Sequence, residues 1–350
     1  MKQSIGILTL ILHAALGCDG HADTTQPVPL FASDGLLHLS LEGPLTTIRK
    51  DRRSDEPEYH PAVLTINEQG TASGLDIRIR TRGHFRRSRD ICKFPPLRLN
   101  FSSQQVANTL FESQDKLKIV TQCHSNEKYA QLIIKEYLSY RILSLFTVKS
   151  FQVRLARIDY IDTDRKNRTD THLAFLIEHK RAMAQRHAAH ISDLPKIKPA
   201  QLDSMQATIA EVFSFLIGNV DWSMLAGREG ESCCHNFVLS TFDEQTFFPI
   251  PYDFDFSGVV NAPYAGPDPR LKLKSIRQRL YRGRCREKRY LPQVLELFRT
   301  QKPAIYALYL DQKELSPRTR GDALAYLDKF YTIISDPKQV DRKMYAVCRG

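Results

Sequence analysis

The chain has 350 residues, 42% of them hydrophobic and 25% charged, enough to bury a sizeable core, and it carries no internal repeat or low-complexity tract. These features exclude a tail or a filament and favour a folded enzyme. A formal net charge of +11 raises nucleic acid as a partner, but the basic runs 80–89 and 275–289 lack the interleaved aromatics of a single-strand platform, and nucleic acid is set aside. Steering of a polyphosphate or acidic substrate, contact with an anionic membrane surface, and plain solvated loops are the other readings of that charge.

Lys2 precedes the apolar run 5–16, too short to span a bilayer but suited to the core of a secretory signal, so 1–22 reads as a signal peptide. Gly20 and Ala22 permit cleavage before Asp23, whereas Ala15-Leu16-Gly17-Cys18 is an imperfect lipobox; a soluble exported protein and a lipoprotein anchored at Cys18 both stand. The expected location is periplasmic, extracellular or envelope-associated. Setting Cys18 aside, six of the seven cysteines remain, an even set for disulfides in an oxidising compartment. A bridge from Cys233 or Cys234 to Cys285 would brace the chain between Asp221 and Asn236.

Residues 23–60 read as a lead-in, with the charged run 49–58 as linker. Residues 61–180 alternate strand-like runs (63–66, 75–82, 97–101, 117–121, 151–160, 172–177) with one long helix, 129–145. Gly70 and Gly74 lie between two of those runs, as either a phosphate-covering hairpin or a surface turn. On the helix, Gln131, Lys135 and Ser139 mark a solvent side, while Glu136 sits at the edge of buried surface, where a carboxylate needs a cation. Residues 181–350 read as mainly helical. Met205, Ile209, Val212, Phe213 and Leu216 predict a helix running into Gly218, with Asp221 on the turn beyond it. The short runs 236–239 and 247–252 predict a hairpin or edge strands, with Asp253 and Asp255 at the exit. Apolar stripes at 291–298 and 324–334 predict two core-packing helices.

Asp253 and Asp255 alternate with Tyr252, Phe254 and Phe256, and two carboxylates in so apolar a setting require a cation or a donor. Magnesium takes one or two carboxylates and fills its shell with phosphate oxygens and water. Asn236 and Asp253 suit it, leaving Asp221 to orient or deprotonate an attacking hydroxyl. The plain alternative makes each of these residues an ordinary turn former or helix cap.

The order of these residues, Asn219-x-Asp221 followed by Trp222, then His235-Asn236-Phe237, then Pro251-Tyr-Asp-Phe-Asp255, resembles the CotH-type spore-coat kinases and, more remotely, the HipA-type kinases. Upstream, Arg82-Gly83 and Arg98 occupy places similar to a CotH-type strand, loop and strand. The resemblance implies an α+β, bilobal, protein-kinase-like fold with a β-rich nucleotide-binding lobe (61–180) and a mainly helical catalytic lobe (181–350). It further implies ATP as phosphate donor and Mg2+ or Mn2+ as cofactor. By it Asp221 is the catalytic carboxylate, Asn236 and Asp253 hold the metal, and Asp255 is the second acidic residue of the metal element. Arg98 and Lys118 are then candidates for gripping phosphate, Glu136 for holding that basic residue, and Glu178 for a place near the lobe connection. The chain departs from familiar protein kinases in lacking GxGxxG, Val-Ala-x-Lys and His-Arg-Asp. Three functions follow as expectations: an exported phosphotransferase acting on a protein or small-molecule acceptor, a non-catalytic kinase-like envelope binding or assembly protein, and a basic envelope protein that binds anionic polymers.

Overall fold

The computed structural model of the protein describes residues 28–350 apart from 55, 69–70, 228–229, 231 and 286–288. The signal-peptide and lipobox readings of 1–22, including Cys18, and the hairpin role of Gly70 lie outside the described residues.

The first half forms a barrel from β1 (Leu37–Gly43), β2 (His60–Glu68), β3 (Thr71–Thr81), β4 (Leu97–Asn100), β5 (Lys116–Thr121), β6 (Val153–Asp162) and β7 (Arg168–Ile177), with α1 (Leu45–Asp51), α2 (Ser103–Val106) and α3 (Glu127–Ser144) in its connections. The order around it is β1-β2-β3-β4-β5-β7-β6; β1 closes the ring by pairing in parallel with β6, and the other pairs are antiparallel. Period-two alternation drives the closure. Leu39, Leu41, Leu64, Ile79, Leu99, Leu117, Ile119 and Ile158 turn inward to one core, each contributing about 1.5–3 kcal/mol by burial. Their strand neighbours Arg98 and Lys118 therefore face outward.

The structure keeps the α+β class but corrects the bilobal kinase-like expectation. The sheet is a closed seven-stranded mixed barrel rather than a β-rich kinase lobe. The stretch read as a lead-in supplies the closing strand: Leu37, Leu39 and Leu41 of β1 alternate into the core and leave the sheet no free edge.

The second half contains α4 (Lys180–Gln185), β8 (His190–Ile191), α5 (Ser204–Ile217), β9 (Phe237–Thr241), β10 (Phe248–Pro251), α6 (Leu291–Thr300), α7 (Lys302–Leu310), α8 (Pro317–Ile334) and α9 (Pro337–Val340), and its strands form a small sheet ordered β10-β9-β8. The expected hairpin is present, with β9 and β10 antiparallel and Phe237 opposite Pro251. α5 starts on an Asp203 cap that accepts from the Gln206 N–H. It ends at Gly218, whose left-handed backbone (φ 69°) lets the Asn219 N–H return to the Ser214 carbonyl at 2.8 Å.

α3 lies between the two halves and is buried on nearly every side. Its expected solvent face is a second correction. Gln131 donates to the Glu314 carbonyl and accepts from the Ser316 N–H, Lys135 donates to the Val260 carbonyl, and the Ser139 hydroxyl donates to the Lys135 carbonyl. The segment before α8 and the loop at Val260 cover that face, and these side chains survive burial because each has a partner.

The six cysteines among the described residues fall into pairs at disulfide distance: Cys92 with Cys123, Cys233 with Cys234, and Cys285 with Cys348. The expected bridge to Cys285 is corrected, since that residue meets Cys348. The pairs are compatible with an oxidising compartment. Among the described residues no helix is long and apolar enough to cross a membrane.

Candidate active site

A cleft of about 540 Å³ runs between the outer face of the barrel and the second half of the chain. Its lining brings together Asp221, Asn236, Asp253, Asp255, Arg98, Lys118 and Glu136, which are far apart in sequence. Glu178 does not line the cleft. It is buried, ion-paired with Arg186 at 2.9 Å, and accepts from the Gln152 N–H at 2.9 Å.

The barrel side carries positive charge. Arg98 on β4 and Lys118 on β5 are direct cross-strand partners, and Arg82 follows the end of β3, with its N–H on the Pro96 carbonyl at 2.9 Å. Among the described residues Arg82, Arg98 and Lys118 make no ion pair, and the Arg82 Nε is buried without a hydrogen-bond acceptor. Burial, then Arg82 and Arg98, push the Lys118 ammonium down to about 7 against the pull of Asp253. Burial likewise lowers Arg82, with Asp253 opposing.

Gly83 (φ 78°) turns the chain into a short helical turn, Phe85–Arg87, that delivers Arg86. Its guanidinium lies 3.7 Å from the Glu136 carboxylate and donates to the Thr121 carbonyl at 2.5 Å. Arg86, and neither Arg98 nor Lys118, thus answers the buried helix glutamate. Burial alone would weaken its hold on its proton, but Tyr264, Asp255 and Glu136 outweigh that, and the net shift is upward. Glu136 is pushed well above the usual carboxylate range by burial and then by Asp255, with Arg86 opposing.

The acidic side is built on the β9–β10 hairpin. Asn236 immediately precedes β9, Asp253 follows β10 by two residues, and the Tyr252 N–H donates to the Asn236 carbonyl at 3.0 Å, so both side chains emerge at one end. Both have left-handed backbones, with φ of 54° and 64°, which Asn and Asp tolerate better than other side chains. The Asp253 N–H donates to the Tyr140 hydroxyl at 2.8 Å, and Tyr264 donates to Asp255 at 3.1 Å. Burial and then the adjacent Asp253 push Asp255 up to about 7, with Arg86 and Tyr264 opposing.

Asp221 lies on the turn after α5. Its N–H bonds the Asn219 side chain at 3.0 Å, and its carboxylate meets His235 Nε2 at 2.8 Å and Asn236 Nδ2 at 3.1 Å. Arg282 clamps the turn from behind by donating to the Val220 and Trp222 carbonyls while its guanidinium stacks on the Trp222 ring.

Two adjacent carboxylates with one pushed toward neutrality are the donor set a hard divalent cation satisfies, and the Asn236 amide, whose Nδ2 is turned to Asp221, leaves its oxygen as a third donor. Asn236, Asp253 and Asp255 fit such an ion. Among the described residues no three His, Cys, Asp or Glu side chains gather to hold a metal by themselves. Magnesium is commonly held by one or two carboxylates with phosphate and water completing its shell.

Arg82, Arg86, Tyr140, His235 and Tyr264 belong to this constellation and were missed as site residues from the sequence. The visible hint was the basic run 80–89, in which Arg82 before Gly83 and Arg86 on the turn after it both line the cleft. Neither a protein-family model nor a curated protein matches the chain.

Proposed function

We propose that the chain is an exported, metal-dependent phosphotransferase that binds a nucleotide through its phosphates in this cleft and passes a phosphoryl group to an acceptor hydroxyl. One observation carries the proposal: Arg82, Arg98 and Lys118, three cations that make no ion pair among the described residues, share one cleft with the carboxylates Asp253, Asp255 and Asp221. Half-buried positive charge that makes no ion pair is costly, and an oxyanion relieves it. Like charges directly opposite on a ladder are destabilising, so the Arg98–Lys118 pair makes sense as a two-sided grip on phosphate.

Phosphoryl transfer needs positioning and charge neutralisation more than covalent chemistry by the protein. Arg82, Arg98 and Lys118 bind and orient the phosphates. Asp221, fixed by His235 and Asn236, orients the acceptor hydroxyl and accepts its proton. Arg86 keeps Glu136 and Asp255 compensated and so holds the barrel loop against the acidic loop. A divalent ion held by Asn236, Asp253 and Asp255 would neutralise charge on the phosphates. The order of Asn219, Asp221, Asn236 and Asp253–Asp255, similar to CotH-type kinases, points to the same reaction class without their fold.

Calorimetric titration of the oxidised protein with ATP, in magnesium and in its absence, tests the binding half. Affinity should fall at least about tenfold in Lys118→Met and in Arg98→Ala, the loss of one charged hydrogen bond to phosphate. Unchanged affinity in both variants would remove the phosphate grip.

A further inference from the structure

The cation cluster has a property that phosphate binding alone does not require. Arg98 and Lys118 are direct cross-strand partners, Arg82 adds a third charge, and all three line the cleft. Such a group pays for its proximity by giving up a proton, and only lysine can do so, because the guanidinium keeps its proton throughout the folded range. The groups bearing on Lys118 are Arg82 from the end of β3, Arg98 from β4, Lys180 from α4 and Asp253 from the loop after β10. The ring of Tyr252 lies 5.4 Å from its Nζ. His179, next to Lys180, is pushed down to about 4 by burial and then by Lys118 and Arg98, so it adds no positive charge near neutral pH. One carboxylate thus faces three fixed or near-fixed cations.

We propose that the cleft takes up a proton together with its anion: above neutral pH Lys118 stands mainly as the neutral amine when the seat beside Arg98 is empty, and becomes the ammonium when a tetrahedral oxyanion is bound there. The proton comes from solvent and adds to the Nζ lone pair; no bond to the anion forms or breaks. The inference rests on the phosphate seat proposed above and adds how that seat is regulated. Burial and its arginine neighbours lower the Lys118 ammonium to about 7 in the empty cleft, and a bound dianion reverses that balance. Between the empty-cleft value and the ordinary lysine value, each bound anion then brings about one proton, and anion affinity falls about tenfold per pH unit. The cleft would therefore release phosphate as pH rises.

Sulfate is the probe, because it carries no titratable proton at these pH values and contains neither nucleoside nor transferable phosphate. The full chain is titrated with sodium sulfate by calorimetry at about pH 8.5, without metal, in two buffers of different ionisation enthalpy. Expected are uptake of nearly one proton per sulfate by the wild type and almost none by Lys118→Arg, which still binds. Binding with no proton uptake, or equal uptake in Lys118→Arg, would overturn the inference and leave the phosphate seat standing. Failure of the wild type to bind sulfate at all would overturn both. Should Lys118→Arg fail to fold, sulfate affinity of the wild type between about pH 7.5 and 9.5 decides: a loss of about tenfold per unit supports the inference, and a flat profile overturns it.

Discussion

Asn236 is joined to Asp221 twice: its Nδ2 donates to the Asp221 carbonyl at 2.7 Å and to the Asp221 carboxylate at 3.1 Å. One amide thereby ties the candidate base to the candidate metal ligand across fourteen intervening residues.

Replacing Asp221 with Asn should remove the proton acceptor while preserving the shape of the turn. Turnover should fall by roughly 10²–10⁴-fold, the usual worth of a positioned general base, with nucleotide affinity nearly unchanged. Asn236→Ala should lower both, because it frees the turn and removes a metal donor. A kcat and KM comparison of the two variants separates these outcomes; equal losses of affinity would count against the division of roles.

Arg86 and Glu136 form a buried pair, with side chains 10% and 3% exposed. Arg86→Ala leaves Glu136 beside Asp255 without its nearest cation, and breaking a buried pair from one side costs about 3–5 kcal/mol. Urea denaturation should show that loss for Arg86→Ala and a smaller one for the double variant Arg86→Ala/Glu136→Gln, in which no charge is stranded.

The parts of the site that were legible in the sequence are those written in local order. Helical periodicity into Gly218 placed Asp221 on a turn, and the alternation Tyr252 to Phe256 identified carboxylates needing compensation. Glu136 reads from the sequence as a carboxylate at the edge of buried surface, with its cation expected on the strands; the structure buries it fully. Arg86 lies fifty residues away on a turn reached through the left-handed Gly83, and no spacing rule links the two. β1 was hidden because its partner β6 is more than a hundred residues distant and the charged run after it suggested a linker. The polarity of Gln131, Lys135 and Ser139 suggests solvent, but polarity implies exposure only where backbone acceptors are absent, and here Glu314, Val260 and Lys135 itself supply carbonyls.

The two site loops meet under one tyrosine. Gly258 donates to the Gly218 carbonyl at 3.0 Å, and a Cβ on either glycine would overlap the Tyr326 hydroxyl; at Gly258 it would also meet the Ile276 carbonyl at 3.0 Å. Gly218→Ala adds a left-handed backbone penalty, so a destabilisation of about 2–3 kcal/mol is expected. Tyr326→Phe should recover part of that loss, which thermal unfolding of the single and double variants measures. No recovery would place the cost in the backbone alone.

Lys135 supplies a pH signature. Burial, then Arg277, push its ammonium down to about 8, with Asp322 opposing. Between about 8 and the ordinary lysine value of 10.5 the unfolded chain holds a proton that the folded chain lacks, so stability rises with pH through that window. Lys118, lowered to about 7, acts in the same direction from a lower starting pH. Lys135→Met should flatten part of the rise in denaturation midpoint between about pH 8 and 10. An unchanged slope would show that the folded-state ammonium is not destabilised.

Phosphate transfer from ATP by the oxidised protein, with magnesium or manganese, beside its Asp253→Ala variant, bears most directly on the central claim. Asp253 lines the cleft opposite the cations, and its loop is held by Tyr140. The account predicts transfer or autophosphorylation by the wild type and a loss of at least about a hundredfold in Asp253→Ala, far beyond what the modest destabilisation of Ala in this left-handed backbone would cause. Equal transfer by both proteins, or no turnover and no metal-dependent nucleotide binding by the wild type, would contradict it.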